Sequence, residues 1–336
     1  MAKVVRFHEL GGPEVLRLED HNLGAPGPGE VLLDVEAIGL NRSEANFRQD
    51  RYLDRVRALP SGLGYEGSGR VRAVGEGVTG FAPGDPVSVL PVFARSRHHL
   101  YGEQAVVPAS ALVHRPAQVD AVTGAATWMA FLTAYGALVE VLRLRPGDHI
   151  VITAATSSVG LAAIQVALRL GAVPIATTHS PAKEARLRDA GAAHVVVTSR
   201  DDLADAVLKA TGGRGAEAVF DAVAGPAVED LARATAPDGV ILIHGSLSGR
   251  PTPMPGLDRM HPVFVRPYTL FEFTGDTARL DRARHFITTG LVSGAFTPVI
   301  DRIFDLADIV QAHQYLEAGA QVGKVVVIVT REESAS

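Results

Sequence analysis

The chain has no cysteine among its 336 residues, which excludes disulfides and thiolate metal sites outright. A chain without thiols is at home in a reducing compartment, and a cytoplasmic location is expected. Basic runs are missing too. With a net charge of -5 and no clustered Lys or Arg, the chain lacks the electrostatic footprint of a nucleic-acid binder. Low-complexity tracts are absent: the 34 glycines and 20 prolines are scattered at turns, which argues against linkers and disorder. The opening residues, MAKVVRFHEL, lack the apolar core of a signal peptide. The most apolar window, Ile150 to Ala172, is interrupted by Thr153, Thr156, Ser157, Ser158 and Gln165 and closed by Arg169, so no membrane span is expected.

What is present is an ordinary globular composition, 47% hydrophobic and 21% charged, on a chain long enough for two cores. The first 120 or so residues carry short β-type runs, KVVRFHE, EVLLDVEAIGL, GSGRVRAVG, DPVSVL and EQAVVP, separated by turn signals such as APGPGE and FAPGD. They read as a compact, mostly β partial barrel. Near residue 122 the pattern changes. A long Ala- and Leu-rich helical stretch, AVTGAATWMAFLTAYGALVEVL, precedes strands alternating with helices of about ten residues. That alternation implies right-handed βαβ units and a doubly wound parallel sheet at 122–262. After residue 262 it breaks down. RPYTLFEF and KVVVIVT read as strands without adjacent βαβ partners, so both are expected to return to the first domain's sheet, giving a domain of 1–121 plus 263–336.

The stretch IVITAATSSVGLAAIQVALRLGA has the form of a strand, a tight turn and a helix, where dinucleotide enzymes keep a glycine-rich phosphate loop. Its turn holds one glycine where the usual fingerprint has three. Gly160 keeps the position that lets helix and strand pack closely, while Ala154 or Ala155, Ser157 and Ser158 are small enough to leave the backbone accessible. Thr156, Ser157, Ser158, Val159 and Gly160 are therefore candidate diphosphate contacts; the alternative is a buried turn that binds nothing. At the end of the next strand, ATTHSPAKEARLR carries no acid before Glu184. An NAD site usually places Asp or Glu there. Thr178, Ser180 and Lys183 instead suit a 2′-phosphate, with Arg186 near, which points to NADPH. Ser180 also reads as a helix N-cap ahead of Pro181.

Together these blocks resemble the medium-chain dehydrogenase/reductase superfamily, in its zinc-independent quinone oxidoreductase and enoyl reductase branch. The resemblance runs from FHELGGPEVLRLED through PGPGEVLLDVEAIGLNRSEANFR, GYEGSGRVRAVGEGVTGFAPGDPV and the loop to VGKVVVIV. It implies a Rossmann domain inserted in a GroES-like catalytic domain, with the active site in the cleft between them. Zinc-dependent members use an early Cys and the His of a GHE triplet. Here GLNRSE places Asn41 near the first position, and GYE puts Tyr65 at the second. His98 and His99 are loop neighbours without distant partners of zinc spacing, so no metal is expected.

Without a metal to polarise an alkoxide, a conjugated acceptor is the easier substrate. By resemblance, Asn41 donates to a substrate carbonyl or a cofactor hydroxyl, and Tyr52 donates a hydrogen bond or a proton. RQDRY departs from the family's usual Arg-x-Gly-x-Tyr, so the placement of Tyr52 is open. Asn41 also reads as a helix cap, Tyr52 as a loop anchor, Glu66 as an ion-pair partner and Thr133 as a buried helix residue. Resemblance further places Thr133, His244, Gly245, Ser246, Tyr268, Leu270, Phe271 and Lys324 beside the cofactor. The expected activity is NADPH-dependent reduction of a small quinone or enone. A trans-acting enoyl reductase on thioesters and a cofactor-binding protein with little turnover are the other readings. A homodimer is expected through the apolar strand VILIHGS, if its edge is exposed.

Overall fold

The computed structural model describes residues 1–94, 96–256 and 261–330. Residues 331–336 of the domain expected at 263–336, and 257–260 of the loop PTPMPGLDRMHPVF, lie outside them. The chain divides into two compact units, Met1–Met129 with Thr297–Ser336, and Ala130–Phe296.

In the first unit the long strand Glu30–Gly39 is the organising element. One of its edges pairs antiparallel with Gly67–Val74. The other is shared, its first half by Gln104–Pro108 and its end by Lys324–Ile328. The seven-stranded sheet continues to Ile300–Asp305 at one side and through Pro86–Val89 to Leu112–His114 at the other. A smaller sheet joins Ala2–Phe7 to Leu16–His21 and Ser61–Gly62. Alternating Val31, Leu33 and Val35 enter one core with Phe7, Phe47, Val87, Leu100 and Val325, the period-two burial of a sheet with one wet face.

The second unit holds six parallel strands in the order His194–Val197, Val173–Thr178, His149–Ile152, Ala216–Asp221, Thr235–Ile243, Phe264–Pro267. HIVI and VPIATT are buried on both faces, as continuous apolar runs in a parallel sheet must be. Helices such as Ser158–Arg169, Leu203–Ala210 and Val228–Ala234 cross between strands. The order reverses between His149–Ile152 and Ala216–Asp221, which makes their carboxyl ends the topological switch point. The mixed α/β class and the doubly wound Rossmann sheet agree with the sequence reading.

Three expectations change. KVVVIVT does join the first unit's sheet, but Phe264–Pro267 does not: it pairs parallel with Thr235–Ile243, from Val240↔Phe264 to Ile243↔Pro267. Residues 263–296 therefore belong to the second unit. The strand VILIHGS is consequently paired on both sides, and the sheet edge is Phe264–Pro267 instead, with Phe264 59% exposed. The long helical stretch is also broken, into Ala121–Ala125, Trp128–Tyr135 and a π-helical turn Gly136–Val141. Gly136 is pressed by later residues: a Cβ there would lie 2.3 Å from both the Phe273 ring and the Tyr268 hydroxyl. Phe273 is thus a clamp between the helix Trp128–Tyr135 and the added segment, with its ring 6.0 Å from that of Tyr135. Phe273→Ala should destabilise the protein by about 3–5 kcal/mol, seen as a lower urea midpoint with unchanged far-ultraviolet circular dichroism in buffer.

Candidate functional site

The switch-point crevice is built from main chain and small side chains. After His149–Ile152 the chain stays tied to both neighbouring strands, Thr153 N donating to Phe220 O (3.1 Å) and Ala155 N to Thr177 O (3.1 Å). Ala154 takes a left-handed φ of 45°, where the usual fingerprint relies on glycine. Ser157 caps the twelve-residue helix Ser158–Arg169, its Oγ accepting from Gly160 N at 3.1 Å. Its oxygen accepts from the helix and its proton stays available to donate, while Ser158 and Val159 stand half-buried in the first turn and Thr156 is buried. Gly160 is required by packing: a Cβ would lie 2.6 Å from Ala155 Cα and 2.7 Å from its carbonyl oxygen. The first-turn N–H groups and helix dipole then face the crevice, a ready anion site.

Across the switch point, the fully buried Asp221 holds the facing loop. Its Oδ1 accepts from Thr153 Oγ1 (2.6 Å) and Val223 N (2.9 Å), and its Oδ2 from Ala224 N (2.9 Å). Thr153 Oγ1 accepts in turn from Ala222 N at 2.8 Å. Gly245, on the adjoining loop, leaves no room for a Cβ, which would sit 2.6 Å from Ala222 O.

At the end of Val173–Thr178, the Thr178 hydroxyl accepts from Ser180 N (3.2 Å). Pro181 opens a 3-10 turn with Ser180 at its N-cap position, as the sequence suggested, but the Ser180 side chain makes no cap hydrogen bond. Lys183 is half-buried at its end. The nearby acid, Glu184, is engaged by Arg188 (2.8 Å) and Arg200 (3.3 Å). These bonds, Arg188's first, outweigh its slight desolvation and hold its pKa below the usual carboxylate range. The strand end is thus followed by Lys183, with the neighbouring acid Glu184 already ion-paired.

His244 stacks on Phe220 with ring centroids 3.9 Å apart. Burial pushes its pKa down to about 3, so the ring is neutral near pH 7. Ser246 beside it is exposed. Tyr268 and Thr133 are brought together, but by structure: the buried Tyr268 hydroxyl donates to Thr133 O at 3.1 Å. Leu270 is buried and Phe271 is 39% exposed.

In the first unit, Asn41, Glu66 and Lys324 form a buried cluster, although 283 positions separate the first and last. Lys324 Nζ donates to Asn41 Oδ1 (2.7 Å) and is paired with Glu66. Asn41 Nδ2 donates to Gly39 O (3.1 Å) and Glu66 Oε2 (3.0 Å), and Glu66 Oε1 accepts from Met129 N (2.7 Å). The ammonium cannot accept and the carboxylate and carbonyl cannot donate, so the amide orientation is settled by its partners. Both amide protons are used. Asn41 also closes a capping box with Glu44 at the start of the helix Arg42–Arg48, so it is the helix cap the sequence suggested. Tyr65, at the position of a zinc-binding histidine, bonds Ser43 Oγ at 2.5 Å. Among the described residues no group of three His, Cys, Asp or Glu is arranged to hold a metal. Tyr52 is half-buried against the first unit's apolar core. The sequence reading missed Asp221 as a loop anchor and Lys324 as Asn41's partner. For Asp221 a signal exists, an acid closing the apolar strand AEAVFD; for the Lys324 pairing there is none short of the fold.

Residues 27–152 match the family model described as "Alcohol dehydrogenase GroES-like domain", and 158–284 that described as "Zinc-binding dehydrogenase". A quinone oxidoreductase of Pseudomonas aeruginosa is 34% identical over 98% of this chain and 100% of its own length. A 2-haloacrylate reductase of a Burkholderia species is 27% identical over 98% of each. The Escherichia coli quinone oxidoreductase structure complexed with NADPH superposes with a TM-score of 0.88, at 27% identity, covering 97% of this chain and 99% of that one.

The depressed pKa of His244 has a consequence for stability. Its unfolded value is near 6.5 and its folded value near 3. As the pH falls through that window the unfolded chain takes up a proton that the folded chain refuses, so stability is lost. His244→Phe, which keeps the stack on Phe220, should show a smaller fall in Tm between about pH 7 and pH 4 than the parent, measured by calorimetry.

Proposed function

The chain belongs to the medium-chain dehydrogenase/reductase superfamily, in its quinone oxidoreductase branch, and from that premise we propose an NADPH-dependent reductase. Its acceptor is a quinone or the β-carbon of an α,β-unsaturated carbonyl, reduced without a metal. The observation that carries this reading is the Asn41–Lys324–Glu66 cluster. Where the zinc enzymes place ligand atoms, this chain has an amide and a tyrosine engaged in hydrogen bonds with other side chains rather than a set of cation ligands.

The residues fit the dinucleotide. The first-turn amides of Ser158–Arg169 with Thr156 and Ser158 hold the diphosphate; Thr178, Ser180 and Lys183 hold the 2′-phosphate; Thr133, His244, Gly245, Ser246, Leu270 and Phe271 line the path of the rest. Tyr268 serves by fixing Thr133's helix. When bound, the nicotinamide supplies the hydride. Asn41 is the proposed hydrogen-bond partner of a substrate carbonyl or a cofactor hydroxyl. Lys324 holds that amide in place and adds positive charge near the developing enolate. Tyr52 is the proposed proton donor to that enolate. The homodimer expected from the sequence is proposed through the edge strand Phe264–Pro267, whose Phe264 is exposed.

Among the described residues no helix is long and apolar enough to cross a membrane, and purified protein can be assayed directly. Turnover of NADPH with 1,4-naphthoquinone or 3-penten-2-one, unaffected by EDTA, is the expected result. No turnover with either acceptor despite NADPH binding would overturn the reductase reading. Lys183→Ala should raise the KM for NADPH roughly tenfold, the worth of one charge-assisted hydrogen bond, and leave the KM for NADH unchanged. Equal use of NADH by the parent enzyme would sink the cofactor assignment.

A further inference from the structure

A second buried polar chain reaches Asn41 at its main-chain N–H, and the proposed chemistry does not use it. Asn41 N donates to Glu44 Oε2 at 2.6 Å, and the Tyr101 hydroxyl donates to the same oxygen at 2.9 Å. Behind Tyr101 stands His313, its Nε2 3.3 Å from the hydroxyl oxygen. Arg48 Nη1 lies 3.0 Å from His313 Nδ1, and Arg48 Nη2 reaches Glu317 Oε1 at 2.6 Å. A guanidinium can only donate. His313 Nδ1 therefore accepts, its Nε2 carries the proton and donates to Tyr101, and Tyr101 has its own proton for Glu44. The direction of every bond follows. Glu44, Arg48 and His313 are each fully buried and Tyr101 is 1% exposed. The chain runs from the half-buried Glu317 inward without a break, and it ends on the main chain of the residue whose side chain faces Lys324.

We propose that Tyr101, acting through the Glu44 carboxylate, is a positioning residue that sets the place of Asn41. Asn41 is the hinge between strand Glu30–Gly39 and helix Arg42–Arg48. Lys324 and Glu66 constrain its amide; they do not constrain the peptide that carries it. Glu44 does, but a carboxylate with rotatable bonds is a locator only if it is itself held. Tyr101, rigid and anchored by His313, supplies that hold. Burial, and the adjacent Glu44 carboxylate, keep the phenol protonated, so the donor is present across the working pH range. The inference rests on the reading that Asn41 serves the reaction.

The test uses the full chain. Tyr101→Phe keeps the ring and removes the donor. In the apoprotein, amide exchange of the peptide spanning residues 40–46 should quicken about tenfold or more, as expected for loss of a buried charge-assisted hydrogen bond. With NADPH and 1,4-naphthoquinone, kcat should fall about tenfold, the scale of a small misplacement in a site, while the Kd for NADPH, read by fluorescence, stays within about twofold. Glu44→Leu, which removes the oxygen that both Asn41 N and the Tyr101 hydroxyl meet, should reproduce both effects and guards against a folding defect peculiar to one variant. Asn41→Ala is the benchmark. If it keeps parental kcat, the site reading fails and the positioning role with it. If it is impaired while Tyr101→Phe keeps parental kcat and amide protection, the positioning role alone is overturned.

Discussion

A carboxylate taken out of water must find its partners inside the fold, and both units of this protein are organised around one that does. Stripping an ionised carboxylate of solvent costs on the order of several kcal/mol even after relaxation, and a half-answered one is worse than none. Glu66 is fully buried, and it is answered by Lys324, by Asn41 Nδ2 and by Met129 N. Those three partners come from the strand Lys324–Ile328, from the N-cap of the helix that follows the long central strand and from the start of the helix Trp128–Tyr135. The cluster therefore exists only if all three arrive, and once they arrive each is fixed. Residues that read separately as a cap, an ion-pair partner and a cofactor contact are parts of one unit.

Asp221 does the same for the nucleotide-type sheet. Its partners are Thr153 on the turn after one strand and two main-chain amides on the turn after the next. These two strands flank the switch point, so the carboxylate fixes the separation of the crevice walls without needing to touch a ligand. Because Thr153 both donates to Asp221 and accepts from Ala222, a shift of either wall would break more than one bond. A loop held this firmly tolerates Ala154 at positive φ, and the two glycines missing from the fingerprint are replaced by anchoring rather than by flexibility.

How much of this the sequence carried depends on range. Strand, turn and helix from His149 to Arg169 were legible because their signals are local: a continuous apolar run, a cluster of small residues, then apolar positions at helical spacing. The need for Gly160 and the absence of an acid before Glu184 were legible for the same reason. The place of Phe264–Pro267 was not. No helix among the described residues of 244–263 announces the crossover, and its burial pattern is mostly exposed, so nothing local assigned it to the parallel sheet. Its pairing is a property of the neighbouring strand's free edge. Tyr101 and His313, 212 positions apart, carried no signal at all, since neither a tyrosine nor a histidine in an apolar stretch says which carboxylate it will meet.

The phosphate loop shows where local reading stops short even when it succeeds. Ser157 and Ser158 looked equivalent as phosphate donors, being adjacent hydroxyls in one turn. Helix geometry separates them. Ser157 lies at the N-cap, where its oxygen must answer an orphan amide, and it does so with Gly160 N. The same bond holds Gly160 against Ala155, the contact that excludes any Cβ. Ser158, one residue on, has no such duty. Gly160 and Ser157 together fix the backbone, and the Ser157 hydroxyl does so as an acceptor, keeping its own proton. A loop poor in glycine is here given its shape by hydrogen bonds within the protein, from Thr153 and Ala155 to the neighbouring strands and from Gly160 to Ser157.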